Sequence, residues 1–259
     1  MDPTHPGFAH GFGLFETIKL SGGRLCFWAE HWKRLAASAA ALGMALDCEA
    51  GAALSAIRTL CREGGTRDGT IKLSLLRAGG REACLYIYAR PALVPLPVTD
   101  RVSLKFDSRC PINAQSPLAG HKTHNYMENL WLLERARAAG DYDVLRVDTR
   151  GMLAETAMGN IFFIQDGRLR TPARATGILP GVVRQCIMEL AAVEEGLYGP
   201  EVLAQSEAVF LTNSSVGLLP INSVEGSGQR FAGESGRHPM VRDLQKVFAD
   251  LEESRSVAL

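Results

Sequence analysis

Residues 121–130 read HKTHNYMENL, and the fold turns on this stretch. Before it, residues 108–120 (SRCPINAQSPLAG) mix prolines with small and polar residues and keep no period, which marks a linker. After it, helical spacing runs from Asn125 to Ala139. Lys122 therefore sits between a linker and a helix, where its amine can project into a cleft between two lobes. Lysine is the side chain that forms Schiff bases with carbonyl compounds, although on position alone a solvated surface amine fits as well. His121 and His124 could share a metal, but no nearby cysteine or acid completes a ligand set, so no metal is expected.

Upstream, Phe12 to Leu20 has the composition of a strand, Gly22 and Gly23 form a turn, and Arg24 to Phe27 return as its partner. Two helices are predicted at Ala29 to Leu42 and Cys48 to Arg62, each closed by glycine. A second hairpin, Thr70 to Arg77 with Ala83 to Arg90, and a strand at Val102 to Phe106 complete the segment before the linker. Downstream, strands are expected at Val144 to Asp148 and Asn160 to Gln165, with a turn at Asp166 and Gly167 and a helix from Gly181 to Val193. Further strands at Val209 to Thr212 and Leu218 to Val224 precede a last helix, Pro239 to Leu251. Antiparallel hairpins with interspersed helices predict an α+β fold in two lobes, a small N-terminal lobe over residues 1–107, the linker at 108–120, and a larger C-terminal lobe over 121–259.

The composition narrows the partners. Lys plus Arg and Asp plus Glu each number 28, so a net charge of zero gives no electrostatic grip on nucleic acid or anionic lipid. No apolar run approaches the roughly 20 residues that span a bilayer. The opening MDPTHPGFAHGFG lacks the basic and apolar segments of a secretory signal, so a cytoplasmic location is expected. Six cysteines without a CxxC pair are expected to be reduced. A small-molecule substrate is the expected partner.

Four further stretches can carry chemistry. In GMLAETAMGNIFF (151–163), Glu155 is one carboxylate among small and apolar residues; a buried acid needs a partner, and a protonated pyridine nitrogen would serve, as would a local turn or cap. In TGILPGVVRQCI (176–187), Gly177, Pro180 and Gly181 lead into a helix whose first amides, those of Val182 and Val183, are unpaired and suit a phosphate, or simply start a helix. Arg34 in EHWKRL is a candidate anion ligand or an exposed helix arginine. Ser214 and Ser215 in TNSSVG offer adjacent hydroxyls in a turn. A GFG at Gly11 to Gly13 does not complete a dinucleotide-binding glycine motif.

Taken together, FGLFET, EHWKRL, HKTHNYMENL, GMLAETAMGNIFF, TPARATGILPGVVR and FLTNSSVGLLPI resemble the fold-type IV pyridoxal-phosphate enzymes, the class IV aminotransferase superfamily, over about His10 to Ile221. The resemblance implies a two-lobed fold like that of D-amino-acid aminotransferase, with pyridoxal 5′-phosphate between the lobes and a homodimer. It implies Lys122 as the Schiff-base lysine, Glu155 as partner of the pyridine nitrogen, and Arg34, the amides of Val182 and Val183, and Ser214 or Ser215 as phosphate ligands. Tyr126 is implied as a cofactor contact or a packing residue. Thr17 at the end of FGLFET, the spacing of Lys122 to Asn125, and Asn213 look more like 4-amino-4-deoxychorismate lyase than like the branched-chain aminotransferases. The resemblance therefore implies a lyase, with Lys122 and Thr17 catalytic; an aminotransferase acting on branched-chain or D-amino acids is the alternative, and a noncatalytic binding protein the third. Arg77, Arg81 and Arg109 are candidates for the substrate carboxylates.

Overall fold

The computed structural model describes residues 2–91 and 101–259. They form two compact units, one built from residues 2–91, 121–126 and 251–259, the other from residues 101–120 and 127–250.

The first unit contains α1 (Pro6–Ala9), β1 (Gly13–Ser21), β2 (Arg24–Cys26), α2 (Trp28–Ala41), α3 (Ala50–Gly64), β3 (Gly69–Gly79) and β4 (Glu82–Pro91). The C-terminal strand Ser256–Ala258 joins its sheet at the free edge of β2, giving the antiparallel order C-terminal strand, β2, β1, β3, β4. Side chains alternate between the faces of a strand. Leu14, Ile18 and Leu20 of β1 pack with Trp28, Leu35, Ala39, Ile57 and Cys61 from α2 and α3, while Phe15, Thr17 and Lys19 take the other face. Glu16 falls in the apolar row between Leu14 and Ile18, and its position there governs much of the chemistry below.

The second unit contains β5 (Ser103–Phe106), α4 (Met127–Ala138), β6 (Asp143–Val147), β7 (Leu153–Thr156), β8 (Asn160–Gln165), β9 (Arg168–Pro172), α5 (Val182–Leu190), β10 (Val193–Gly196), β11 (Ala208–Asn213), β12 (Gly217–Ile221), β13 (Ser223–Gly226), β14 (Gln229–Ala232) and most of α6 (Pro239–Ser254), whose last turn from Leu251 belongs to the first unit. Its mixed sheet runs β10, β9, β8, β7, β6, β5, β13, β14, with β11 also paired to β8 and β12 to β11. The sequence of β8, NIFFIQ, is apolar without alternation because both faces are covered. Phe162 stacks on Phe210 with centroids 5.0 Å apart, and Phe163 meets Tyr198 edge-on at 5.0 Å.

Several elements differ from the expectation. The strand at Ser103–Phe106 pairs in parallel with β6 and β13, and so belongs to the second unit, whereas residues 121–126 and the C-terminal strand belong to the first. The predicted helix from Gly181 to Val193 ends at Leu190, because Ala191 is extended and Val193–Gly196 pairs in parallel with β9. Tertiary pairing there outweighs a helix propensity that would otherwise continue through two alanines. The strand expected from Leu218 to Val224 is two strands broken at Asn222, whose side-chain oxygen accepts the amide of Val102 at 2.8 Å. The helix expected from Asn125 starts at Met127. β7, β9, β10 and β14 were not expected: their short, charged or proline-containing sequences hide the period of two.

Phe163 is fully buried in the core of the second unit. Phe163→Ala should lower unfolding free energy by about 3–5 kcal/mol, read by denaturant titration; a loss under about 1 kcal/mol would mean the site collapses around the deletion.

Candidate active site

At its N-terminal end β1 extends beyond its neighbour β2, which pairs only with Leu20 and Ser21. The open edge is covered by the segment carrying Lys122. Phe15 N donates to Lys122 O at 2.9 Å, His124 N donates to Gly13 O at 2.9 Å, and Leu14 bridges to Thr123. These bonds satisfy an edge that would otherwise lack partners. They also set Lys122 Nζ 4.4 Å from the centroid of the Phe15 ring and 4.9 Å from that of Tyr126, which meets Phe15 edge-on at 5.2 Å. Lys122, Tyr126 and Phe15 thus form one aromatic-lined amine site. Thr17 lies two residues along the same face of β1, directly opposite Lys72 of β3, whose Nζ is itself 4.4 Å from the Phe15 centroid. Lys72 escaped the sequence reading because nothing in TIKLSLLRA distinguishes it from a solvated strand lysine. His124, tilted against Phe15 at 5.3 Å, is held below the ordinary imidazole pKa by burial and by the Lys72 charge.

The opposite face of β1 carries a charged cluster. Arg34 Nε and Nη2 donate to the two carboxylate oxygens of Glu16 at 2.8 and 2.6 Å, and His31 Nδ1 lies 2.7 Å from Glu16 Oε2. Glu16 and His31 are both only 1 % exposed in their side chains. Burial alone would raise the Glu16 pKa, but the Arg34 charge and its hydrogen bonds, helped by His31, bring it down to about 2 from an ordinary 4.5. Burial pushes His31 down, against the pull of Glu16 and with help from the charges of Arg34 and Lys122. His31 is therefore neutral and donates Nδ1–H to an ionised Glu16. Arg34 is fixed rather than dangling: Glu16 takes the Nε edge of a guanidinium that carries five N–H donors. An acid in an apolar row, with His31 and Arg34 one helical turn apart on α2, was the signal in the sequence that could have exposed this cluster.

In the second unit, Glu155 lies on β7, paired in register with Asn160 of β8. Its Oε2 accepts Asn160 Nδ2 at 2.8 Å and Leu179 N at 3.1 Å. The turn between the two strands is held by buried Asp143, which accepts the amides of Val144 at 2.7 Å and Met158 at 3.1 Å; burial outweighs these bonds and pushes its pKa up to about 6. Past Leu179 the chain enters α5 through Gly181, and no side chain caps that helix. The backbone amides of Val182 and Val183 occupy its first turn, where the helix itself supplies no acceptors, while their side chains are buried. Gly177, with φ +83°, abuts Ala114 so closely that a Cβ would lie 2.8 Å from the Ala114 Cα. After β11, Asn213 Oδ1 accepts the amides of Ser215 at 2.9 Å and Val216 at 3.1 Å, which shapes the turn bearing Ser214 and Ser215. Thr212, opposite Asn160 across β8 and β11, has a buried hydroxyl without a hydrogen-bond partner.

The arginines considered for substrate carboxylates are engaged locally. Arg77 donates to Gly43 O at 2.6 Å and lies 4.1 Å from the Phe12 centroid. Arg109 forms a two-bond pair with Asp107, at 2.9 and 2.6 Å. Arg81 is exposed, and its carbonyl accepts Ala45 N at 2.8 Å. Among the described residues no group of three or more His, Cys, Asp or Glu could hold a metal, and no helix is long and apolar enough to cross a membrane.

Within the first unit an amine lies among aromatic rings; within the second a carboxylate is fixed by two N–H donors and a helix starts uncapped behind a glycine. The chain belongs to the class IV aminotransferase family, whose model matches residues 13–224. It is 30% identical to the branched-chain-amino-acid aminotransferase of Escherichia coli strain K12 over 140 residues, 52% of this chain and 44% of that protein; the match spans under half the length of that curated relative. It is 26% identical over 262 residues to a proposed branched-chain-amino-acid aminotransferase of Methanocaldococcus jannaschii, covering 95% of this chain and 88% of the relative. The crystal structure of a proposed 4-amino-4-deoxychorismate lyase from Legionella pneumophila superposes with TM-score 0.87 at 25% identity, covering 96% of this chain and 94% of that one. The fold is therefore fold type IV, and the cofactor of the family is pyridoxal 5′-phosphate. The residues present fit it: the orphan hydroxyl of Thr212, the anchored carboxylate of Glu155 and the uncapped α5 are a donor and acceptor set for a phosphorylated pyridine.

Because the Glu16 carboxyl titrates near 2 when folded and near 4.5 when unfolded, it adds stability above about pH 4.5 that disappears as pH falls toward 2, about 3 kcal/mol in all. Acid titration of unfolding free energy should show this fall in the natural protein and lack it in Glu16→Gln; equal slopes in both would disprove the assignment.

Proposed function

We propose that the chain is a pyridoxal-phosphate lyase that converts 4-amino-4-deoxychorismate to p-aminobenzoate and pyruvate. The observation that carries this reading is Thr17, a hydroxyl on the Phe15 face of β1, opposite Lys72 and beside the ring that carries Lys122. Lys122 is proposed as the amine that bonds to the cofactor aldehyde, Glu155 as the acceptor for the ring N–H, and Tyr126 as a ring contact. Arg34, the amides of Val182 and Val183, and Ser214 or Ser215 are proposed for the phosphate. Bound pyridoxal phosphate supplies an electrophilic carbon for the substrate amine and a cationic ring that accepts the electrons of an adjacent carbanion.

The protein's own groups then move protons. The Lys122 amine takes the proton from the ring carbon that bears the substrate nitrogen. The electron pair left behind expels the enolpyruvyl oxygen, the C–O bond breaks, and the ring becomes aromatic. The Lys122 ammonium returns that proton, directly or relayed through the Thr17 hydroxyl, to turn enolpyruvate into pyruvate, so protons balance. Phe15 and Tyr126 flank the amine and restrict where it can reach.

Amine exchange between an amino acid and a keto acid is the second reading, favoured by the names of the Escherichia coli and Methanocaldococcus jannaschii relatives. It uses the same proton abstraction by Lys122. We also propose a cytoplasmic homodimer; Met127, Leu130 and Trp131 form an exposed apolar row on α4 that a second copy would cover.

Incubating the cofactor-loaded protein with aminodeoxychorismate should release p-aminobenzoate and pyruvate in equal amounts. Keto-acid formation from amino acids plus 2-oxoglutarate, with no p-aminobenzoate, would replace the lyase by the aminotransferase. Lys122→Ala should lose turnover by a factor of at least about 10² and the visible absorption of the covalently held cofactor; retention of both would remove the central role of Lys122.

A further inference from the structure

Asn160 is 3 % exposed, sits at the first position of β8, and is assigned no role in the reading above. Its single amide nitrogen makes two hydrogen bonds, to Glu155 Oε2 at 2.8 Å and to Leu179 O at 2.9 Å. The Leu179 amide closes the ring by donating to the same Glu155 oxygen at 3.1 Å. Both protons of Asn160 Nδ2 are thereby spent. Its Oδ1 lies so near Gly181 that a Cβ there would overlap it, which explains glycine at the N-cap of α5. One side chain thus touches the carboxylate, the loop at 179–181 and the start of α5.

Electrostatics gives this ring a direction. An N–H donated to a carboxylate favours the ionised form, and two donors converging on one oxygen also fix its rotamer. Asparagine at 160 can donate where aspartate could only accept or share a proton. The strand pairing of Glu155 with Asn160 sets the spacing, so the bond does not depend on mobile loops. Asp143 holds the turn that joins the two strands.

We propose that Asn160 is a positioning residue that holds Glu155 aimed for the cofactor's ring N–H, acting on cofactor binding through Glu155 and not through fold stability. This rests on the assignment of Glu155 made above. The geometry requires that the effects of removing Asn160 and Glu155 overlap, since each loses the same contact.

The test is a double-mutant cycle on apoprotein titrated with pyridoxal 5′-phosphate, following visible absorption, with thermal unfolding of each apoprotein alongside. Asn160→Ala should weaken cofactor binding roughly 10- to 100-fold, the worth of a hydrogen bond to a charged group. Glu155→Ala should weaken it at least as much, and the double variant should bind within about twofold of Glu155→Ala alone. Losses that multiply would overturn the proposal while leaving Glu155 in its role; an unchanged affinity in Glu155→Ala would instead remove the Glu155 assignment and this inference with it. Asn160→Asp keeps the side-chain volume and covers the case in which the alanine variant does not fold. It should lose affinity at least about tenfold, and binding equal to the natural protein's would show that the donor is irrelevant.

Discussion

The backbone of Gly13 to Phe15 needs partners that β2 is too short to supply, and the Lys122 segment supplies them. An unpaired strand edge exposes a row of N–H and C=O groups that must be satisfied by something. Filling it with residues 122–124 turns a requirement of the sheet into a placement of the amine proposed to hold the cofactor. Lysine carries a long stem with about 2 kcal/mol of rotamer entropy, so an amine used for chemistry gains from a backbone anchored on both sides and from rings along its length. Phe15 serves both ends of this arrangement, as the hydrogen-bonded strand residue and as the ring beneath Nζ.

Two carboxylates show how charge is handled in this chain. Glu16 is buried with a guanidinium and a neutral imidazole, a pairing that gives both carboxylate oxygens a donor. Such a cluster carries a large desolvation cost and returns little net stability compared with apolar packing; what it supplies is a fixed Arg34. Glu155, by contrast, accepts two amide N–H donors at one oxygen, which orient the carboxylate. The first arrangement suits structure. The second suits the role proposed for Glu155, acceptor for the ring N–H of the cofactor.

The scaffold defines the cofactor more sharply than the substrate, as expected when a fold hosts many chemistries. Arg77 and Arg109, natural candidates for substrate carboxylates, are tied into local contacts with Gly43, Phe12 and Asp107. The Phe15 face instead offers Thr17 and Lys72, which are paired across β1 and β3. Lysine and threonine at adjoining strands give a compact cation beside a hydroxyl.

The sequence by itself determined the hairpins, the amphipathic helices and the family, and singled out Lys122 and Glu155 as candidates, because those follow from local period, turn chemistry and short motifs. It carried Glu16 as a visible anomaly in an apolar row, and left Lys72 and Asn160 indistinguishable from ordinary strand residues. Only the tertiary structure decided that Ser103–Phe106 joins the second unit, that α5 stops at Leu190, and that the Lys122 segment lies along β1. Each of these rests on pairing between residues far apart in the chain. Propensity and period describe neighbours within a few residues, whereas strand edges and buried carboxylates are satisfied by whatever the fold brings to them.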